Sequence, residues 1–165
     1  MTDALSLRLK QPRFASAQQE ALLSVAVAAS AINDLVDVVC EKHGLTRPQY
    51  NVLRILRGAH PEGHSRCEVA RRMVERAPDI TRLVDRLQSR GLVRRTRGGE
   101  DQRQAIARIT AKGLKLLETI QPELDTITEA RMSKLTEREC HELSRLCALI
   151  FEEDACGEDK HSHSQ

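Results

Sequence analysis

The sequence predicts a mostly α-helical fold with one small two-stranded β-ribbon. Apolar residues recur at helical spacing through most of the chain, in segments bounded by Ser/Thr caps and by glycines. Only Leu92–Arg97 and Gln104–Thr110, flanking Gly98-Gly99, read as a hairpin. Aromatics are nearly absent: one Tyr, two Phe and no Trp in 165 residues, which suits helices packed through small aliphatics better than a β-sandwich.

The elements follow in order. Residues 1–16 read as irregular, with Pro12. A long helix from about Ala17 to Lys42 ends at Gly44, the position that left-handed caps favour. Its stretch Ala21–Cys40 is strongly apolar, but Ser24, Ser30, Asn33, Asp34 and Asp37 interrupt it. That pattern predicts a buried or dimer-facing helix rather than a membrane span. Thr46-Arg47-Pro48-Gln49 is a capping box with Pro in the first turn, opening a second helix to about Arg57. Ser65 to Glu68 is another box, opening a short helix to about Val74 with Val69, Ala70 and Met73 inward.

The next helix, 78–90, starts at Pro78 and stops at Gly91. Ile80, Leu83, Val84 and Leu87 give it an i, i+3, i+4, i+7 apolar stripe. The hairpin follows at once. Thr110 caps a helix to about Ala130, with a bend expected near Pro122. Leu135-Thr136 to Glu139 opens the last helix, whose Leu143, Leu146, Cys147 and Ile150 are expected to be buried. Residues 154–165 are expected to form a mobile tail.

A short helix, a tight turn, a second helix with one polar face and a ribbon directly after make a winged helix-turn-helix. Charge is distributed accordingly. Residues 60–110 carry 12 basic and 7 acidic side chains, and every basic one is Arg. Residues 111–165 carry 7 and 12, so the basic excess sits on the helix-ribbon unit.

With the apolar stripe buried, Thr81 and Arg82 lie in the first turn of the outward face, where a recognition helix meets bases. Arg86 follows one turn later. Asp85 is expected to pair with a neighbouring Arg. Ser65 heads the preceding helix, whose free N–H groups suit a phosphate. Arg95 and Arg97, with Arg94, would track the backbone, and Arg103 near the tip suits the minor groove. Arg90 and Arg108, by contrast, are expected to be structural or solvated, and Arg94 can also be read that way.

These residues resemble a family. Leu45-Thr46-x-x-Gln49-Tyr50-x-Val52-Leu53, Ile80 to Leu87, Gly91-Leu92-Val93-x-Arg95, Asp101-Gln102-Arg103 and Ile109-Thr110-x-x-Gly113 together look like the MarR family of bacterial transcription regulators. The resemblance spans roughly Ala17 to Ile150. It implies a cytoplasmic homodimer on a pseudo-palindromic double-stranded DNA operator, most simply a repressor relieved by a small molecule. It also implies that 17–57 and 111–153 supply dimerisation helices and the domain junction, and that 58–110 is the DNA-binding lobe. Asp101 would hold Arg103 in the wing. A small anionic aromatic effector would meet Asp37, Arg47 and Tyr50, each of which reads equally well as a capping, hinge or packing residue.

Other readings are a winged-helix protein-interaction module and a redox- or metal-responsive regulator. The five cysteines are odd in number, form no CxxC and follow no apolar leader, so reduced thiols are expected. Cys140 and Cys147 lie seven apart on one helix face, and Glu41 and His43 lack a spaced partner for a metal. No cofactor is implied. No P-loop, GxGxxG, GxSxG or HExxH occurs, so no enzymatic activity is expected.

Overall fold

A computed structural model describes residues 4–75, 79–97 and 105–151, together with the backbone but not the side chain of Arg97. Its elements are α1 (Ala4–Leu9), α2 (Ala17–Lys42), α3 (Arg47–Gly58), β1 (His64–Ser65), α4 (Arg66–Arg71), α5 (Ile80–Ser89), β2 (Val93–Arg97), β3 (Ala105–Ile109), α6 (Ala111–Met132) and α7 (Glu137–Phe151). They form two compact units, Met1–Asp125 and Thr126–Gln165. The expected tail, 154–165, lies outside the described residues, as does Pro78.

Local chemistry sets the boundaries. Ser16 accepts from the Gln19 N–H at 3.2 Å and starts α2. The helix stops where Gly44 takes φ +67°, a left-handed turn that costs a side-chain-bearing residue more. There the Gly44 N–H bonds to the Glu41 carbonyl and the Leu45 N–H to that of Cys40. Thr46 and Gln49 cap each other reciprocally at the head of α3. Thr136 and Glu139 do the same at α7. At α4 only half of the expected box forms. Ser65 accepts from the Glu68 N–H at 3.3 Å, but the Glu68 carboxylate turns to Arg71 and Arg72, each at 3.1 Å.

α3 is the centre of the first unit. It packs against α2, α4, α5 and β3, and its Val52, Leu53 and Leu56 are fully buried. Ile80, Val84 and Leu87 of α5 join them, with Leu92, Val93 and Ile109 from the sheet side and Leu117 and Ile120 from α6. The hairpin register is Val93↔Ile109 through Arg97↔Ala105. Lys42 and His43, at the end of α2, reach Glu123 of α6 at 3.0 and 2.8 Å. These partners, His43 first, hold the Glu123 carboxyl below its ordinary range.

Several expectations are corrected. Residues 4–9 are helical, with Leu5 buried; six residues are too few to display a helical period. The ribbon gains a third strand, because His64 and Ser65 pair with Ala107 and Ile106. Two residues carry no alternation that a sequence can show. α4 ends at Arg71, with Ala70 exposed and Val74 78% exposed, because only Val69 of that helix is covered. The helix expected after Thr110 forms as α6, with Pro122 inside it.

The largest correction concerns α7. No residue of α7 is buried: Leu143 is 42% and Ile150 61% exposed. α2 buries only Val39 and Cys40, and it is long and apolar enough, by length and composition, to cross a membrane. In the single chain these faces have too little covering surface.

Gly113 in the first turn of α6 has a packing role. A Cβ there would stand 2.4 Å from the Leu92 carbonyl oxygen and 2.7 Å from Ile109 Cγ1, contacts that real side chains do not make. Gly113→Ala is expected to destabilise the protein by about 1–3 kcal/mol, the usual cost of overpacking, measured as a lowered urea midpoint.

Candidate nucleic-acid interface

α5 is held apolar side down by Ile80, Val84 and Leu87, which leaves Arg82, Asp85, Arg86 and Ser89 outward. The helix begins at Asp79, one of whose oxygens accepts from the Arg82 N–H at 3.0 Å while the other meets Arg82 Nε at 3.0 Å. One carboxylate thus caps the helix and steadies the guanidinium beside its N-terminus, though Arg82 stays 79% exposed. Thr81 is half-buried, and its hydroxyl accepts from Nη1 of Arg66 at 3.1 Å. Arg86 has no side-chain partner among the described residues, so its charge is free to meet an anion.

The wing is braced to this helix. Arg95 shares a face of β2 with Val93. Its Nη1 lies 2.5 Å from Asp85 Oδ1, and its Nη2 donates to the Thr81 carbonyl at 3.3 Å. Asp85 therefore takes a neighbouring arginine, as expected. Ser65 sits at the junction of β1 and α4, its hydroxyl engaged in the cap. Asp101, Arg103 and the Arg97 side chain lie outside the described residues.

Two arginines set aside as structural prove so. Arg90 donates to the carbonyls of Gly44 and His43, tying the end of α5 to the end of α2. Arg108 donates to the Glu62 carbonyl at 2.7 Å. Sequence reasoning missed Arg66, whose contact with Thr81 spans 15 residues and leaves no local signature.

The three residues read as an effector site are only partly brought together. Arg47 Nε lies 3.1 Å from Asp37 Oδ1, and its Nη1 meets Glu75, which was not foreseen. Tyr50 is buried, with Arg54 5.9 Å from its ring centre, and burial raises its phenol pKa. Among the described residues no hydrogen bond joins Tyr50 to Asp37 or Arg47.

Burial, followed by the nearby Asp37 charge, pushes the Cys40 thiol up to about 11. Cys67 is exposed, Cys140 and Cys147 are half-buried, and all four are free. His43 takes Glu123, and no group of three or more metal-binding side chains occurs among the described residues.

Two consecutive helices with a basic outward face, joined to a sheet whose arginine braces that face, define a winged helix-turn-helix DNA-binding protein. A family model described as MarR family matches residues 43–104. The HTH-type transcriptional regulator MhqR of Bacillus subtilis is 30% identical over 125 residues, covering 74% of this chain and 85% of that one. A crystal structure of a MarR transcription factor from Planctomyces limnophilus is 40% identical, with a TM-score of 0.63, over 83% of this chain and 99% of that one. The fold is also that of CouR from Rhodococcus jostii RHA1, bound to p-coumaroyl-CoA, at 21% identity and a TM-score of 0.73 over 86% and 99% of the two chains. The chain belongs to the MarR family of DNA-binding transcription regulators, which are not enzymes.

Reactivity follows the cysteine environments. In the native protein iodoacetamide at pH 8 is expected to modify Cys67 readily and Cys40 far more slowly, because only a thiolate that solvent can reach is alkylated. Peptide mass spectrometry over a time course reads both. Equal rates would contradict the burial described for Cys40.

Proposed function

We propose that this protein is a homodimeric, sequence-specific regulator of the cytoplasm, a repressor that a small molecule relieves. The observation that carries the reading is the outward face of α5, where Arg82 is steadied by Asp79 and the Arg86 side chain has no partner among the described residues. Thr81, Arg82 and Arg86 read base edges in the major groove. Arg95 and Arg97 lie along the backbone, Ser65 offers the phosphate site before α4, and Asp101 orients Arg103 at the wing tip.

The exposed apolar faces of α2 and α7 support a second copy as partner. Leu22 is 61% exposed, Leu146 45% and Phe151 72%, and patches of this kind mark association surfaces. In this reading 17–57 and 111–153 supply dimerisation and the junction, and 58–110 is the DNA-binding lobe. Two-fold symmetry places two recognition helices on a pseudo-palindrome with half-sites about one helical turn apart. The effector is a small anionic aromatic compound near Asp37, Arg47 and Tyr50. The effector reading is supported by the likeness in fold to CouR, which is bound to p-coumaroyl-CoA.

A mobility-shift titration against the region upstream of its own gene tests the DNA assignment, and no binding at low salt by a folded dimer would sink it. Arg103→Ala is expected to weaken binding on most sequences and make the salt slope shallower by about one. Arg82→Ala should instead relax preference at particular base pairs, at about 1–3 kcal/mol each. Dimerisation has its own test: Leu146→Glu should shift the sedimenting species toward monomer at micromolar concentration, with helicity retained.

A further inference from the structure

The reading end of α5 is tied to the helix before it. Arg66 opens α4 beside the Ser65 cap, and its Nη1 donates across to Oγ1 of Thr81, the second residue of α5, at 3.1 Å. A guanidinium carries donors and no acceptor. The Thr81 oxygen therefore accepts in this contact, and its own O–H is not spent on it. Other helical hydroxyls in the chain turn back on their own helix. Ser89 donates to the Arg86 carbonyl, Thr119 to that of Lys115 and Ser144 to that of Cys140. The Thr81 hydroxyl donates to no acceptor among the described residues. Its backbone is held as well, since Arg95 of β2 donates to the Thr81 carbonyl at 3.3 Å. Side chain and backbone are fixed from two different elements, and the hydroxyl proton is left over.

We infer that Arg66 is a positioning residue for sequence recognition: it makes the Thr81 hydroxyl a hydrogen-bond donor aimed at an acceptor on a base edge. The inference deepens the reading of Thr81 as a base contact and rests on it. A threonine in a helix divides between two χ1 rotamers, and its hydroxyl serves as donor or acceptor alike. Left so, it discriminates little. With Arg66 on the oxygen, one rotamer is selected and the donor role with it. Purines offer N7, guanine also O6, and thymine O4, whereas cytosine offers only its N4 donor. The base facing Thr81 is accordingly one with an acceptor, and cytosine is the least favoured there.

Arg66 is free to do this and to hold DNA at once. Its side chain is exposed, and no carboxylate meets it among the described residues, whereas the charge of Arg95 is met by Asp85. One N–H group of the fork holds Thr81, and the others remain for a backbone phosphate. The phosphate contact thereby fixes where the base contact falls.

The test uses the full chain and a duplex that the wild-type protein enriches from a random-sequence pool, together with every single-base-pair variant of that duplex. Fluorescence anisotropy over a range of salt concentrations gives the affinity for each. Thr81→Val keeps the shape and removes the hydroxyl, and should cut the preference at one base-pair position about tenfold. Arg66→Met should cut the preference at that same position by a similar factor. It should also weaken binding to all sequences and make the salt slope shallower by about one. In the Thr81→Val background, Arg66→Met should change the preference at that position no further, because Arg66 acts there through the hydroxyl. Misfolding cannot imitate this pattern, since it lowers binding to every duplex alike.

If Arg66→Met weakens binding uniformly and leaves the preference profile intact, Arg66 is a phosphate contact alone: the inference is overturned and the reading of Thr81 stands. A further loss of preference in the double variant, equal to that of Arg66→Met alone, would also overturn it. If Thr81→Val leaves the profile intact, the reading of Thr81 falls and the inference with it. Cytosine as the favoured base at that position would overturn the donor assignment.

Discussion

The DNA-reading unit depends on the burial of one helix face. Val52, Leu53 and Leu56 of α3 are sealed beneath α5 and the sheet, and they receive Ile80, Val84 and Leu87 in return. A helix with a stripe about one-third of its circumference wide has a single way to bury it. That rotation directs Arg82 and Arg86 outward. Each is exposed because it stands two residues along, on the opposite side of the helix, from buried residues: Arg82 from Ile80 and Val84, Arg86 from Val84. The aliphatic core is compact enough that even one added methyl at Gly113 would collide with the Leu92 backbone.

Electrostatics then sorts the arginines into two groups. Some are held by fixed partners: Arg95 by Asp85, Arg90 and Arg108 by backbone carbonyls, Arg47 by Asp37 and Glu75. These fix the relation of wing, helix and junction. Arg86 is free of such partners among the described residues, and Arg82 is restrained by a carboxylate of its own first turn. The acidic residues on the recognition face therefore belong to the architecture. Asp79 caps the helix and Asp85 receives the wing, so their presence does not argue against a polyanionic partner.

Much of this was legible because it is local. Thr46, Thr110 and Thr136 announce their helices through bonds spanning three residues, and Gly44 and Gly91 announce two ends. The apolar stripe of α5 and its arginine face follow from spacing alone. Features made by distant partners were not legible. β1 exists through pairing across some forty residues, and the Glu75 contacts reach back 28 and 42 residues. The expected burial of α7 failed for another reason. Periodicity reports that a face is apolar, not which surface will cover it, and within one chain Leu143 and Ile150 remain open.

The two ends of the recognition helix are secured unequally. At its C-terminus Arg90 bonds to the carbonyls of His43 and Gly44, and Lys112 Nζ donates to the Arg90 carbonyl at 2.9 Å. At its N-terminus the ties run to α4, to the cap and to the wing: Arg66 to the Thr81 hydroxyl, Asp79 to the Arg82 N–H, and Arg95 of β2 to the Thr81 carbonyl. Among the described residues the hydrogen bonds from α5 to the end of α2 and to α6 are thus at the end remote from the bases, which makes that end the hinge. The 10 residues of α5 make it about 15 Å long, so a tilt of about 10° at the hinge carries the reading end through about 2.5 Å. That displacement is close to the length of a hydrogen bond, enough to convert a base contact into none while leaving the core packing at the hinge almost unchanged.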